Sequence, residues 1–164
     1  MAVQLHEFTK RILVTATVEE MYQAWATQDG LERWFLRQAK FTLPSGEARA
    51  SKSPIGAGDQ YEWLWHGYPD DTVERREVLG ANGKDSVQFL FSGDSIVTVS
   101  IKAANRGAIV ELRQQIPAGH DPELEYRIGC DTGWTFYMAN LKSILEGGID
   151  LRNKNQDLTE VLNA

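Results

Sequence analysis

The 164-residue chain is 42% hydrophobic and 24% charged, the balance of a globular domain rather than of a disordered or fibrous one, and its length suits one domain with one core. A formal net charge of -6 excludes the basic surface that binding to a phosphate backbone needs, so nucleic acid is set aside as a partner. A single cysteine, Cys130, excludes an internal disulfide and a thiolate-rich zinc site; no apolar run reaches bilayer-spanning length and no secretory leader is visible, so a cytoplasmic protein without a membrane span is expected.

The β-branched run within residues 6–15 reads as a first strand. Thr17 stands three residues before Glu20, the spacing of a capping box, and predicts a helix start; Met21, Tyr22 and Trp25 then fall at helical spacing. A break is expected around Asp29 and Gly30, followed by a second short helix with Leu31, Trp34 and Phe35 on its apolar face. Residues 41–58, rich in Pro, Gly and Ser, read as a mobile loop or hairpin connection. Period-two alternation returns at residues 59–67, with Tyr61, Trp63 and Trp65 on one face and Glu62, Leu64 and His66 on the other.

Strands are then expected at residues 72–79, 86–91 (after an Asn82-Gly83 turn), 96–103 (after Gly93-Asp94) and 108–116 (after a turn at 105–107). Such short connections require antiparallel neighbours. From Asp121 to Glu146 the period becomes helical, with Pro122 in the first turn and a stripe of Leu124, Ile128, Trp134, Met138, Leu141 and Leu145; Gly147-Gly148 ends it. Gly129 and Gly133 each cost the helix about 1 kcal/mol relative to Ala, for which close approach to the sheet is the expected reason. Residues 149–164 are polar apart from Leu158, Val161 and Leu162 and read as a tail that either docks as an extra turn or stays loose.

Residues 16–35, ATVEEMYQAWATQDGLERWF, with Met21 and Tyr22, Ala24 and Trp25, then Leu31, Trp34 and Phe35, resemble the opening of proteins related to the Hsp90 ATPase activator, the AHSA1-type branch of the START-like (SRPBCC) superfamily. Gly133, Trp134, Asn140, Leu141, Lys142 and Leu145 are similar to the long C-terminal helix of that branch. The resemblance implies an α+β helix-grip fold of the START/Bet v 1 kind: a curved antiparallel sheet of six or seven strands around a long C-terminal helix, with two short helices after the first strand. Residues 1–148 would form this domain and 149–164 a C-terminal tail. Many relatives carry a His at the end of the last strand, where this chain has Gln114, and the eukaryotic activator carries a separate N-terminal domain, whereas this chain starts at the first strand.

A helix laid across a concave sheet leaves a space that inward side chains either line or fill. The ligand-binding candidates are Trp63, Trp65, Phe89, Phe91, Leu112 and Gln114 from the sheet, with Val110 beside them, Trp134 and Met138 from the helix, and Trp34 closing one mouth. The same residues read equally as a packed aromatic core. Gln114 reads either as orienting a ligand or as satisfying backbone; Asp131 as facing cavity or solvent; Arg75, among Glu74, Arg76 and Glu77, as part of a solvated strand face. His6, His66 and His120 lack metal-ligand spacing, and GAGD at 56–59 precedes a strand rather than a helix, so no metal, cofactor or phosphate loop is expected. Cys130 reads as an inert buried thiol, and no catalytic residue is assigned. The leading functional expectation is a non-catalytic binder of a small hydrophobic or amphipathic ligand. The alternatives are a chaperone-linked interaction module, implied by the resemblance, and a cavity enzyme of cyclase or hydrolase type; a homodimer is a further possible assembly.

Overall fold

In a computed structural model of the chain, which describes residues 4–119 and 123–164, strand β1 (Glu7–Val14) leads through a turn into helix α1 (Val18–Ala26). His120, and the helix start expected at Asp121 and Pro122, lie outside the described residues. The capping box forms as its spacing requires: Thr17 Oγ1 accepts from Glu20 N–H at 3.0 Å, and the Glu20 carboxylate accepts from Thr17 N–H at 2.8 Å.

The break between the short helices falls at Thr27, two residues before its expected place. Thr27 ends α1, and its Oγ1 accepts from Gly30 N–H at 3.0 Å to cap α2 (Gln28–Trp34). Gly30 is therefore not a breaker but a point of close approach, since a Cβ there would stand 2.1 Å from the Gln23 carbonyl. The bulky face of α2 can thus lie directly against α1, and Trp34 Nε1 donates to Ala24 O at 2.9 Å.

Seven strands follow one another through the sheet in the order β1-β7-β6-β5-β4-β3-β2, every neighbouring pair antiparallel. They are β2 (Gln38–Thr42), β3 (Gln60–Leu64), β4 (Val73–Ala81), β5 (Ser86–Phe91), β6 (Ser95–Ala104) and β7 (Gly107–Gln115) beside β1. The order returns the last strand to pair with the first, so two chain segments 100 residues apart face each other, as in Arg11 Nε to Glu111 at 2.5 Å. The edge strand β2 alternates as well, with Ala39 and Phe41 pointing inward, but five residues with two inward positions are too short a pattern to stand out in the sequence.

The 41–58 connection is pinned rather than loose. Ile55 is buried in the core, its N–H donates to Ala26 O at 2.8 Å, and Arg49 clasps Asp59. Helix α3 (Glu123–Leu145) buries Trp134, Met138, Asn140 and Leu141. Leu124 and Ile128, expected in its buried stripe, are 52% and 53% exposed, because the helix meets the sheet through Tyr126, Arg127, Cys130 and Trp134 and turns these two to its outer side. Among the described residues no helix is long and apolar enough to cross a membrane.

The core lies between the concave face of the sheet and the three helices. Trp63, Val78, Phe89, Val99 and Leu112 face Met21, Trp25, Trp34, Trp134 and Leu141, and each such side chain contributes roughly 1.5–3 kcal/mol on burial. Asn140 ties α3 to what precedes and follows it: its Nδ2 donates to Trp34 O at 2.8 Å, and its Oδ1 accepts from Leu151 N–H at 2.7 Å.

Candidate functional site: an aromatic groove at one end of the core

Phe35 caps α2 with its own N–H, donated to Leu31 O at 2.9 Å, and this holds its ring at the junction of helices and sheet. Its centroid lies 5.2 Å from Trp34, 5.6 Å from Trp63, 6.1 Å from Trp65, 5.1 Å from Trp134 and 4.9 Å from Tyr137. Phe91 joins the same cluster, 6.3 Å from Trp63 and 5.5 Å from Trp134. Edge-on and offset contacts at these separations are the favourable arrangements for rings, so the cluster is rigid as well as apolar.

On the outer side of this cluster lies a groove of about 640 Å³, within the range typical of small-molecule sites. Phe35, Trp65 and Phe91 form its floor, and one face of α3 (Tyr126, Gly129, Cys130, Gly133, Trp134 and Tyr137) forms its wall. Glu74 from β4 and Ser92 from the turn after β5 add polar atoms, and Val161, Leu162 and Ala164 form its rim. Gly129 and Gly133, expected to let the helix approach the sheet, do the opposite: a Cβ at either would meet nothing within 4 Å, and the space they leave belongs to the groove.

Of the nine ligand-binding candidates read from the sequence, Trp65, Phe91 and Trp134 line this groove. Trp34, Trp63, Phe89, Leu112, Gln114 and Met138 lie behind it in the packed core, as does Val110, and Trp34 is fully buried rather than at a mouth. The rings that were read as lining a cavity fill it, because the residues of α1 and α2 add a third set of aromatic side chains to those of sheet and α3. Gln114 is buried in the core, where its Oε1 accepts from Trp134 Nε1 at 2.9 Å.

The groove's polar groups are few and differently tuned. Tyr126 OH donates to Ser92 O and lies 3.2 Å from Ser95 Oγ; burial raises its pKa against the pull of those two bonds. Burial likewise raises the Cys130 thiol, outweighing Tyr126, Gln114 and Arg127, so it stays protonated and a poor nucleophile at neutral pH. Tyr137, raised chiefly by burial, donates its OH to Ala164 O at 2.9 Å. Arg75 lies on a solvated strand face as expected, but Glu74 and Arg76 depart from that reading. Glu74 pairs in register with Trp63 and Arg76 with Tyr61, which turns both charges to the concave side, while Arg75 reaches outward to Glu62 at 2.9 Å. Asp131 is on the solvent side rather than in the groove, its side chain 33% exposed and held by Lys10 and Arg127 at 2.6 Å each.

Beside the groove, burial first, then the charges of Arg152, Lys154 and Arg37, push His66 down to about 4 against an opposing pull from Asp150. Among the described residues no three of His, Cys, Asp and Glu converge as a metal ion would require.

Tyr126, Cys130, Gly133 and Tyr137 recur every three or four residues, and that stripe was the available signal for the helical wall. Nothing comparable announced the rim, whose docking depends on tertiary bonds. Gly67 contributes one of these contacts: at φ 80° it makes a turn after Trp65, and a Cβ there would stand 2.3 Å from the Ala164 side chain.

A family model described as Activator of Hsp90 ATPase homolog 1-like protein matches residues 15–146. No curated protein matches the chain. Among solved structures, protein SSP2350 from Staphylococcus saprophyticus is similar with a TM-score of 0.70 at 14% identity, over 89% of this chain and 96% of that one. The Aha1 dimer from Colwellia psychrerythraea is similar with a TM-score of 0.65 at 17% identity, over 87% of this chain and 97% of that one. At such identities the likeness establishes the fold.

Proposed function

The chain belongs to the Activator of Hsp90 ATPase homolog 1-like family, and from that membership together with the groove we propose that it binds a small hydrophobic or amphipathic molecule without acting on it chemically. The observation that carries this reading is the volume of about 640 Å³ left open beside a core that is otherwise filled, with two helical glycines facing it. Space of this size next to rigid aromatic rings suits a ligand that loses water on entry and needs no rearrangement of the protein. Catalysis is not supported by the polar groups present. The Glu74 carboxylate is engaged by Arg76, Cys130 is held as the thiol, and no acid and base face each other across the groove among the described residues. Contact with a chaperone rests on the family's description, and the geometry of the groove does not call for it.

Titration with decanol and 4-octylphenol tests the proposal. Binding at one equivalent should shift tryptophan emission and move amide resonances around residues 65, 91 and 126–137 in heteronuclear spectra, and Trp65→Phe should remove part of the emission change. Perturbations scattered over the surface, or no saturation, would refute the reading.

A further inference from the structure

Among the side chains of the described residues that line the groove, that of Glu74 is the one that carries a formal charge; no Lys, Arg or His side chain lines it. The pairing of Arg75 with Glu62 shows where charges that merely lace two strands sit, with side chains 67% and 39% exposed on the outer face. Glu74 is different, with a side chain only 18% exposed and turned toward the rings. Its partner Arg76, at 3.1 Å, is shared with Asp94 at 3.2 Å, so one guanidinium faces two carboxylates and the group keeps a net negative charge. A ring's π face is itself negative, and Trp65, Phe91 and Trp134 surround the same space.

We propose that the groove selects an amphipathic organic cation, an amine or quaternary ammonium whose apolar body lies on Phe35, Trp65 and Trp134 and whose charged head is directed to Glu74. This rests on the reading of the groove as a ligand site and adds the ligand's chemical class. A carboxylate or phosphate ligand would have to bury its charge beside Glu74, whose neighbour Arg76 is already shared between two carboxylates, which disfavours anions such as free fatty acids.

Calorimetric titration with decyltrimethylammonium, decanol and decanoate, all below micelle formation, separates head-group charge from chain length. The expected result is decyltrimethylammonium binding about tenfold tighter than decanol, with decanoate weakest. Glu74→Gln should bring the cation to within about twofold of decanol, read as the ratio of the two affinities in the variant. Asp94→Asn gives an independent reading outside the groove. Asn tolerates the positive φ of 56° at that position, and the change frees Arg76 to neutralise Glu74, so the cation's advantage should shrink while the fold is kept. Equal affinity for cation and alcohol in the unmodified protein, tightest binding of decanoate, or a preference untouched by either variant would overturn the inference and leave the groove as a ligand site. Failure of all three probes to bind would overturn both.

Discussion

Asp59 has no solvent exposure, and its carboxylate accepts from Arg49 Nε at 2.5 Å, from Arg49 Nη2 at 2.9 Å and from Gly56 N–H at 3.0 Å. This one residue fastens the whole 41–58 connection to the start of β3. Removing the carboxylate leaves the Arg49 guanidinium, whose side chain is 18% exposed, without its partner, and an uncompensated charge of that kind costs about 3–5 kcal/mol. Asp59→Ala is therefore expected to lower the free energy of unfolding by about that much, measured as a reduced urea midpoint at unchanged slope. A loss below about 1 kcal/mol would mean the loop is held by Ile55 instead. The GAGD segment was legible as a turn, since no helix follows it, but the role of its Asp was not, because its partner Arg49 has no fixed spacing from it. The same limit hid Glu74: alternating charges on β4 gave the pleat correctly, while the face turned inward is decided by pairing with Trp63. Trp65, one residue past the end of β3, Phe91 at the end of β5 and Trp134 in α3 continue the strand and helix periods beside the aromatic cluster, which made them legible. The remaining six candidates follow the same pattern, and only the volume contributed by α1 and α2 decides that they fill space rather than line it.

Residues 149–164 behave as a structural element although they contain neither helix nor strand. Arg152, 6% exposed, donates to the carbonyls of Glu32, Arg33 and Leu36 at 2.9–3.0 Å, and so satisfies the end of α2 that the helix itself leaves open. Its nitrogens also donate to Asp150 at 2.8 and 3.0 Å, and Asn140 bonds both Asp150 and Leu151 N–H. Arg152→Ala should cost about 3 kcal/mol and speed hydrogen exchange at residues 31–37 and 149–153 well before the central strands. Equal acceleration everywhere would show that the segment has no local role. Burial raises the Asp150 carboxyl, but the bonds from Arg152, Lys154 and Asn140 outweigh it and hold the group well below its ordinary value. A depressed carboxylate stabilises the fold in full above about pH 4, where the unfolded chain is also ionised, and that contribution is lost as pH falls toward the folded value. The segment's docking should accordingly weaken only in acid, and Arg152→Ala should reduce that dependence, leaving what Lys154 and Asn140 supply. None of this showed in the sequence, where residues 149–164 have no periodicity and Arg152 looks like any surface cation. By contrast β1, β3–β7 and α1 were legible from period and capping residues alone, because their hydrogen bonds and apolar faces repeat.

At the scale of the whole molecule, stability and the open groove draw on the same residues of α3. A helix of 23 residues that places Gly129 and Gly133 where no neighbouring atom comes within 4 Å forgoes about 1 kcal/mol at each, although Ala would fit both. The fold therefore tolerates a cost that packing does not explain, while the groove gains the volume. Two substitutions at one position separate these effects. Gly133→Ala adds a single methyl group on the groove side of the helix, so it should raise the unfolding free energy by about 0.5–1 kcal/mol and weaken decanol binding only a few-fold. Gly133→Leu gains similar helix propensity, but its side chain fills the groove space beside the helix and should lower affinity at least about thirtyfold while the protein stays as stable as the parent. Thermal melts and titrations of the two variants together give the answer. If Gly133→Leu bound as tightly as the parent, the opening beside α3 would not be where ligands sit; if Gly133→Ala destabilised the protein, the glycine would be serving the helix rather than the space next to it. Stability raised in Gly133→Ala and kept in Gly133→Leu, with decanol binding falling from one to the next, is the outcome expected of the proposed ligand groove.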